Sequence, residues 1–290
     1  MKKIILLIIA LLLSLLILAG CSMQQEQDES YKIVTSFYPM YTIAKTIADG
    51  VEGVTVENMA SKNAGCLHDY TLTTADLKKI ENADVFVLNG LGIENFTDKI
   101  LETYSDMEII EASENIENLI VDEHEENAHI WLSIDRYIEQ LENVKQGLVK
   151  YDKEHSKSYI KNADAYKAKL ENLQSKLEEK TKTVKKCLSF SESLAYLEES
   201  MNLNMEIIET DHEQNGLSAE SLAEAIEYVK ENNIKNILID KQTADNNAQT
   251  VANETGAKIY ILDSVLSGED KAETYIRIME ENLKIVESME

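Results

Sequence analysis

Basic residues are scarce in this chain of 290 residues: 28 Lys and Arg stand against 53 Asp and Glu, giving a net charge of −25 at pH 7. No basic stripe is available to neutralise phosphates, which excludes a nucleic-acid binder. Cysteine is almost as rare, with three in all. Cys66 and Cys187, the two outside the N-terminal segment, define no disulfide-rich scaffold and form either one pair or two separate thiols. Several catalytic signatures are missing too. There is no G-x-S-x-G elbow, P-loop or G-x-G-x-x-G, since Gly90-Leu91-Gly92 lacks the third glycine. His124 to His129 has one residue too many for H-E-x-x-H, whose histidines must share one helix face. Apolar residues are not lacking: at 44% they exclude a disordered acidic chain.

Part of that apolar content lies at the start. Lys2 and Lys3 precede an apolar run, Ile4 to Leu18, broken only by Ser14. The run is short for a membrane span and has the flanks of a secretory signal. It closes on Leu18-Ala19-Gly20-Cys21, which resembles the bacterial lipobox. The resemblance implies a signal peptide at 1–20, cleavage before Cys21, lipid on Cys21, a polar tether at 21–30, and an extracytoplasmic protein anchored to the cell membrane. Losing Lys2 and Lys3 would take the net charge from −25 to −27.

From residue 31 the chain alternates between β-rich and helical patterns. Strands are expected at 32–37, 51–56, 84–88 and 107–111, then at 186–190, 205–208, 237–239 and 259–262. Helices are expected between them, and the Thr73-x-x-Asp76 cap predicts one starting near residue 74. This pattern predicts an α/β fold of two domains, 31–152 and 186–290, each with a parallel sheet flanked by helices. Between them, Tyr159, Ala163, Tyr166, Leu170, Leu173, Leu177 and Val184 mark one face of a helix, and no Gly or Pro interrupts 153–186. The expectation is a rigid linking helix over 153–185, with a coiled-coil seam as the alternative.

Two of the five histidines stand where a loop meets a helix, His68 in Gly65 to Tyr70 and His129 in Asn127 to Leu132. Such junctions commonly carry ligand-binding groups in α/β sheets, and imidazole is the commonest metal ligand. His155 is expected to be solvated; His124 and His212 lie in acidic loops.

Several blocks, in order, resemble one family. HDYTLTTADLKKIENADVFVLNGLGIENF (68–96) is similar to the first metal-ligand block of the metal-binding lipoproteins of bacterial zinc and manganese ABC importers. NAHIWLS (127–133) resembles their second block, with Ala128 in place of the usual Pro, and ETGAKIYILDSV (254–265) resembles their fourth. The resemblance covers residue 31 to the end. It implies a metal site in the interdomain cleft, with His68 and His129 as ligands from the first domain and Asp263 from the second. The third block departs: Ser191 stands where the family has a His or Glu, and Asp240 replaces a Glu.

For the third position, His68, His129 and Asp263 with water suffice for zinc, in which case affinity is lower. Alternatively Glu192 reaches in, or His212 or Cys66 substitutes. The resemblance implies a monomeric solute-binding protein, not an enzyme, that captures a divalent cation and passes it to an ABC permease. Zn2+ is favoured over Mn2+ because manganese prefers more oxygen ligands. The alternatives are a degenerate copy acting as an adhesin or regulatory surface protein, and a metal-dependent hydrolase with Glu192 as base.

Overall fold

In the computed structural model, residues 30–60, 67, 70–122, 125–208, 218–242 and 246–290 are described. The first half follows the expected alternation: β1 (Tyr31–Thr35), α1 (Tyr38–Ile47), β2 (Val54–Asn58), α2 (Thr74–Glu81), β3 (Val85–Leu88), α3 (Thr97–Thr103) and β4 (Glu108–Glu111). Its four strands are parallel, in the order β2-β1-β3-β4. All four residues of β3 are buried, as a central strand covered on both faces requires. The predicted cap of α2 is present: Asp76 N–H donates to Thr73 Oγ1, and Asp76 Oδ2 accepts from Thr73 N–H at 2.8 Å.

A short antiparallel pair, β5 (Val121–Asp122) and β6 (Glu125–Glu126), leads into a 3-10 turn at Ile130–Leu132 and then α4 (Ile134–Tyr151). The linking helix, α5 (Ser156–Lys180), is shorter than the sequence suggests, about 38 Å at 1.5 Å per residue. Asp152 sets its start. Its carboxylate accepts from the His155 ring (Nδ1, 2.7 Å) and from Tyr159 Oη (2.6 Å), turning the chain between α4 and α5. His155 is therefore part of the helix start and only partly exposed. Burial pushes the Asp152 carboxyl up, but the hydrogen bonds from Tyr159 and His155 bring it below the usual range. At the other end Asn202 Nδ2 donates to the Thr181 carbonyl at 2.7 Å. Val184 lies beyond the helix and is 53% exposed, so the apolar stripe ends at Leu177.

The second half repeats the topology: β7 (Lys185–Ser189), α6 (Leu197–Met201), β8 (Leu203–Ile207), α7 (Ala219–Glu231), β9 (Asn236–Asp240), α8 (Asn246–Thr255), β10 (Lys258–Leu262) and α9 (Thr274–Glu287). Its parallel order is β10-β9-β7-β8, so in both sheets the first strand lies between the second and the third.

Burial joins the halves. One cluster includes Ile33 and Phe86 of the first sheet, the α5 stripe, and Leu238, Leu262 and Tyr275 of the second half. The stripe is covered by this chain's own core, which leaves no coiled-coil seam. Tyr137 of α4 stacks on Tyr275 of α9 with centroids 3.7 Å apart and planes 8° from parallel. Tyr31–Glu290 accordingly forms one compact unit. Among the described residues, no helix is long and apolar enough to cross a membrane.

Candidate metal centre

In open parallel sheets, ligands bind beyond the carboxyl ends of the strands, where the strand order reverses. Here those reversals lie between β1 and β3 and between β7 and β9. Ser191 follows β7, Asp240 ends β9, and Asp263 follows β10.

His129 is 2% exposed. Asn127 Oδ1 accepts the His129 backbone N–H at 2.9 Å and lies 3.0 Å from Nδ1. The backbone donor fixes which end of the amide is oxygen, and an amide oxygen only accepts. Nδ1 therefore carries the proton in the neutral ring, and Nε2 has the lone pair, which is the tautomer a metal-binding imidazole needs. Asn127 also reaches the second half, donating from Nδ2 to the Glu192 carbonyl at 3.1 Å. Trp131, 5.1 Å from the His129 ring, donates from Nε1 to the Ser264 carbonyl at 2.8 Å. The His129 loop is thus tied to the second half beside Ser191 at one contact and beside Asp263 at the other.

Behind this loop lies a buried polar network. Asn89 Nδ2 donates to the Ala128 carbonyl at 3.1 Å, and Gln140 Nε2 donates to Asn89 Oδ1 at 2.8 Å. The Glu94 carboxylate accepts from Ser36 Oγ (2.7 Å), Asn89 N–H (2.7 Å) and Gly90 N–H (3.0 Å). Burial pushes the Glu94 carboxyl up to about 7 despite these donors. Gly90 has φ +90°, and a β-carbon there would overlap Glu111 and Ser113. The Asn-Gly and Glu of the 68–96 block therefore support the His129 loop from below.

On the other side, the Ser191 and Ser193 hydroxyls are 2.6 Å apart, and Ser193 Oγ donates to Asp240 Oδ2 at 3.1 Å. Burial raises the Asp240 carboxyl above its ordinary value, and the charge of Asp263 adds to the shift. Asp263 Oδ1 accepts from Val265 N–H at 2.9 Å, while Oδ2 takes the Lys241 ammonium at 2.9 Å. Asn282 brackets the Asp263 backbone with two bonds of 2.9 Å. Val265 has φ +62°, a rare conformation for a β-branched residue. Asp263 is therefore both a turn former and a carboxylate held at the end of β10.

His68, Cys66, His124 and His212 lie outside the described residues. Among the described residues, no three His, Cys, Asp or Glu are grouped to hold a metal ion. What the hydrogen bonds join are segments: the His129 loop to the Glu192 and Ser264 peptides through Asn127 and Trp131, and Ser191 to Asp240 through Ser193. Cys187 stands apart as a buried free thiol, pushed up to about 12 by burial. Asn127, Trp131 and Glu94 fall within the family-like blocks 127–133 and 68–96, but their supporting contacts, and the place of Lys241, are set by the tertiary structure.

Residues 33–289 match the family described as the zinc-uptake complex component A, periplasmic. The chain belongs to this family. Among component A relatives it is 30% identical to the zinc-binding lipoprotein AdcA of Streptococcus pneumoniae, over 98% of this chain and 60% of the relative. It is 27% identical to the manganese-binding lipoprotein MntA of Halalkalibacterium halodurans, over 98% of this chain and 97% of the relative. The chain thus spans less than two thirds of AdcA. The crystal structure of the Zn(II)-bound ZnuA-like domain of S. pneumoniae AdcA shares the fold with a TM-score of 0.74 and 29% identity, covering 89% of this chain and 98% of that one. The component A family resemblance and the two-sheet α/β fold with its long linking helix are both borne out.

Proposed function

We propose that this protein is the extracytoplasmic solute-binding component of a divalent-metal ABC importer. In this reading His68, His129 and Asp263 hold the ion, with Ser191, Glu192 or water completing the shell. The observation that carries it is the 3.0 Å contact of Asn127 Oδ1 with His129 Nδ1, in a loop bonded to the peptides next to the third-block and Asp263 positions. The relatives named as zinc- and manganese-binding lipoproteins support the same cargo and an anchor through Cys21. Zinc is the favoured cargo, since two imidazoles and one carboxylate suit it better than manganese. The net charge of −25 favours the approach of any cation, and selection falls to the few ligands.

The protein works as a monomer that captures the ion and delivers it to a permease, without making or breaking a covalent bond. Calorimetry on the chelator-stripped protein tests this. Binding of one zinc ion per chain with a Kd of about 1 μM or tighter is expected. Absence of saturable zinc and manganese binding would overturn the proposal.

A further inference from the structure

Asp263 already has a cationic partner in this structure. Lys241 Nζ lies 2.9 Å from Asp263 Oδ2. The pair is lopsided: the Asp263 side chain is 13% exposed, whereas that of Lys241 is 62% exposed. The carboxylate is fixed in place and the ammonium reaches it from solvent on a flexible stem. The approach is built into the turn after β9. Lys241 N–H donates to the Leu262 carbonyl at 2.8 Å, which pins its backbone next to Asp263. Gln242 fastens the same turn, with N–H donating to Asp240 Oδ1 (3.1 Å) and Nε2 to Ser267 Oγ (2.9 Å). Asp240, the other carboxylate facing this corner, is engaged by Ser193 and by Gln242.

We infer that Lys241 is a tethered counter-cation of the site, occupying Asp263 Oδ2 when no ion is bound and displaced by the arriving divalent cation. This rests on the assignment of Asp263 as a metal ligand in the proposed function. A metal and an ammonium compete for the same oxygen, so Lys241 lowers affinity. The same competition speeds release, because the ammonium re-forms its bond as the ion departs. With its ammonium largely in solvent, the pair contributes little to folding, so its main consequence is for binding.

The test is Lys241→Met in the full chain, with zinc alone and manganese alone as probes. Zinc binding is expected to tighten about five-fold, the equivalent of about 1 kcal/mol at 1.4 kcal/mol per decade. Transfer of zinc to a chelator, followed by stopped flow, is expected to slow by a similar factor, and Lys241→Arg, which keeps the charge, to stay near wild type. The metal-free Tm is expected to be nearly unchanged, with Lys241→Gln as the second variant should Met reduce yield. Equal or weaker zinc binding in both neutral variants, alongside measurable binding by the wild type, overturns the role of Lys241 and leaves the cargo assignment standing. Absence of binding in wild type and variants alike overturns the cargo assignment itself.

Discussion

Asn127 holds His129 twice, through the backbone N–H at 2.9 Å and the ring Nδ1 at 3.0 Å, both on the same side-chain oxygen. One amide thus sets the ring's orientation and its tautomer. Asn127→Ala removes both contacts and the bond to the Glu192 carbonyl. Partners of this kind typically carry 10- to 100-fold of metal affinity. A zinc Kd weakened by roughly that factor, read by calorimetry, is expected. An unchanged Kd would show that the ring is oriented by other contacts.

The two sides of the site should respond unequally. Ser191 is engaged with the Ser193 hydroxyl at 2.6 Å, and a neutral hydroxyl is a poor zinc ligand. His129→Ala is expected to weaken zinc binding more than Ser191→Ala, and Ser191→His to tighten it. Equal losses in the two alanine variants would make Ser191 a direct ligand.

Glu94 predicts a pH dependence of stability. Its carboxyl is pushed up to about 7 by burial, against an ordinary 4.5. Between these values the folded state keeps a proton that the unfolded chain has lost, so stability falls as pH rises. The contribution is fully present below about pH 4.5 and lost above about pH 7; the shift corresponds to roughly 3 kcal/mol. Denaturant titrations of Glu94→Gln at about pH 5 and about pH 8 are expected to give a flatter dependence than wild type. An equally steep slope would assign it to other groups.

The start of α5 predicts the opposite sign. Asp152 is held below the usual carboxylate range, so its stabilisation is present at neutral pH and lost as pH falls through its lowered value. Tyr159→Phe removes the 2.6 Å bond to this carboxylate. A loss of about 1.5–3 kcal/mol is expected near pH 7. The loss should shrink in acid, and thermal melts across pH follow it.

Much of this fold is legible along the chain because the signals are local. The apolar run 85–88, the Thr73–Asp76 cap and the stripe from Tyr159 to Leu177 each depend on residues a few positions apart. Element ends are less legible. The linking helix ends at Lys180, where Asn202, from beyond β7, takes the Thr181 carbonyl.

The sequence by itself determined the α/β alternation, the acidic charge, and the candidate ligands His129 and Asp263 through the blocks around them. Only the tertiary structure decided which groups support them. Asn127 to Glu192 and Trp131 to Ser264 join residues 65 and 133 positions apart. Lys241 meets Asp263 because β9 and β10 lie side by side in register, with Asp240 opposite Leu262. Contacts of this kind depend on strand pairing and on the packing of two sheets about one helix. That packing leaves no periodic trace in the chain, because each partner looks ordinary in its own stretch of sequence.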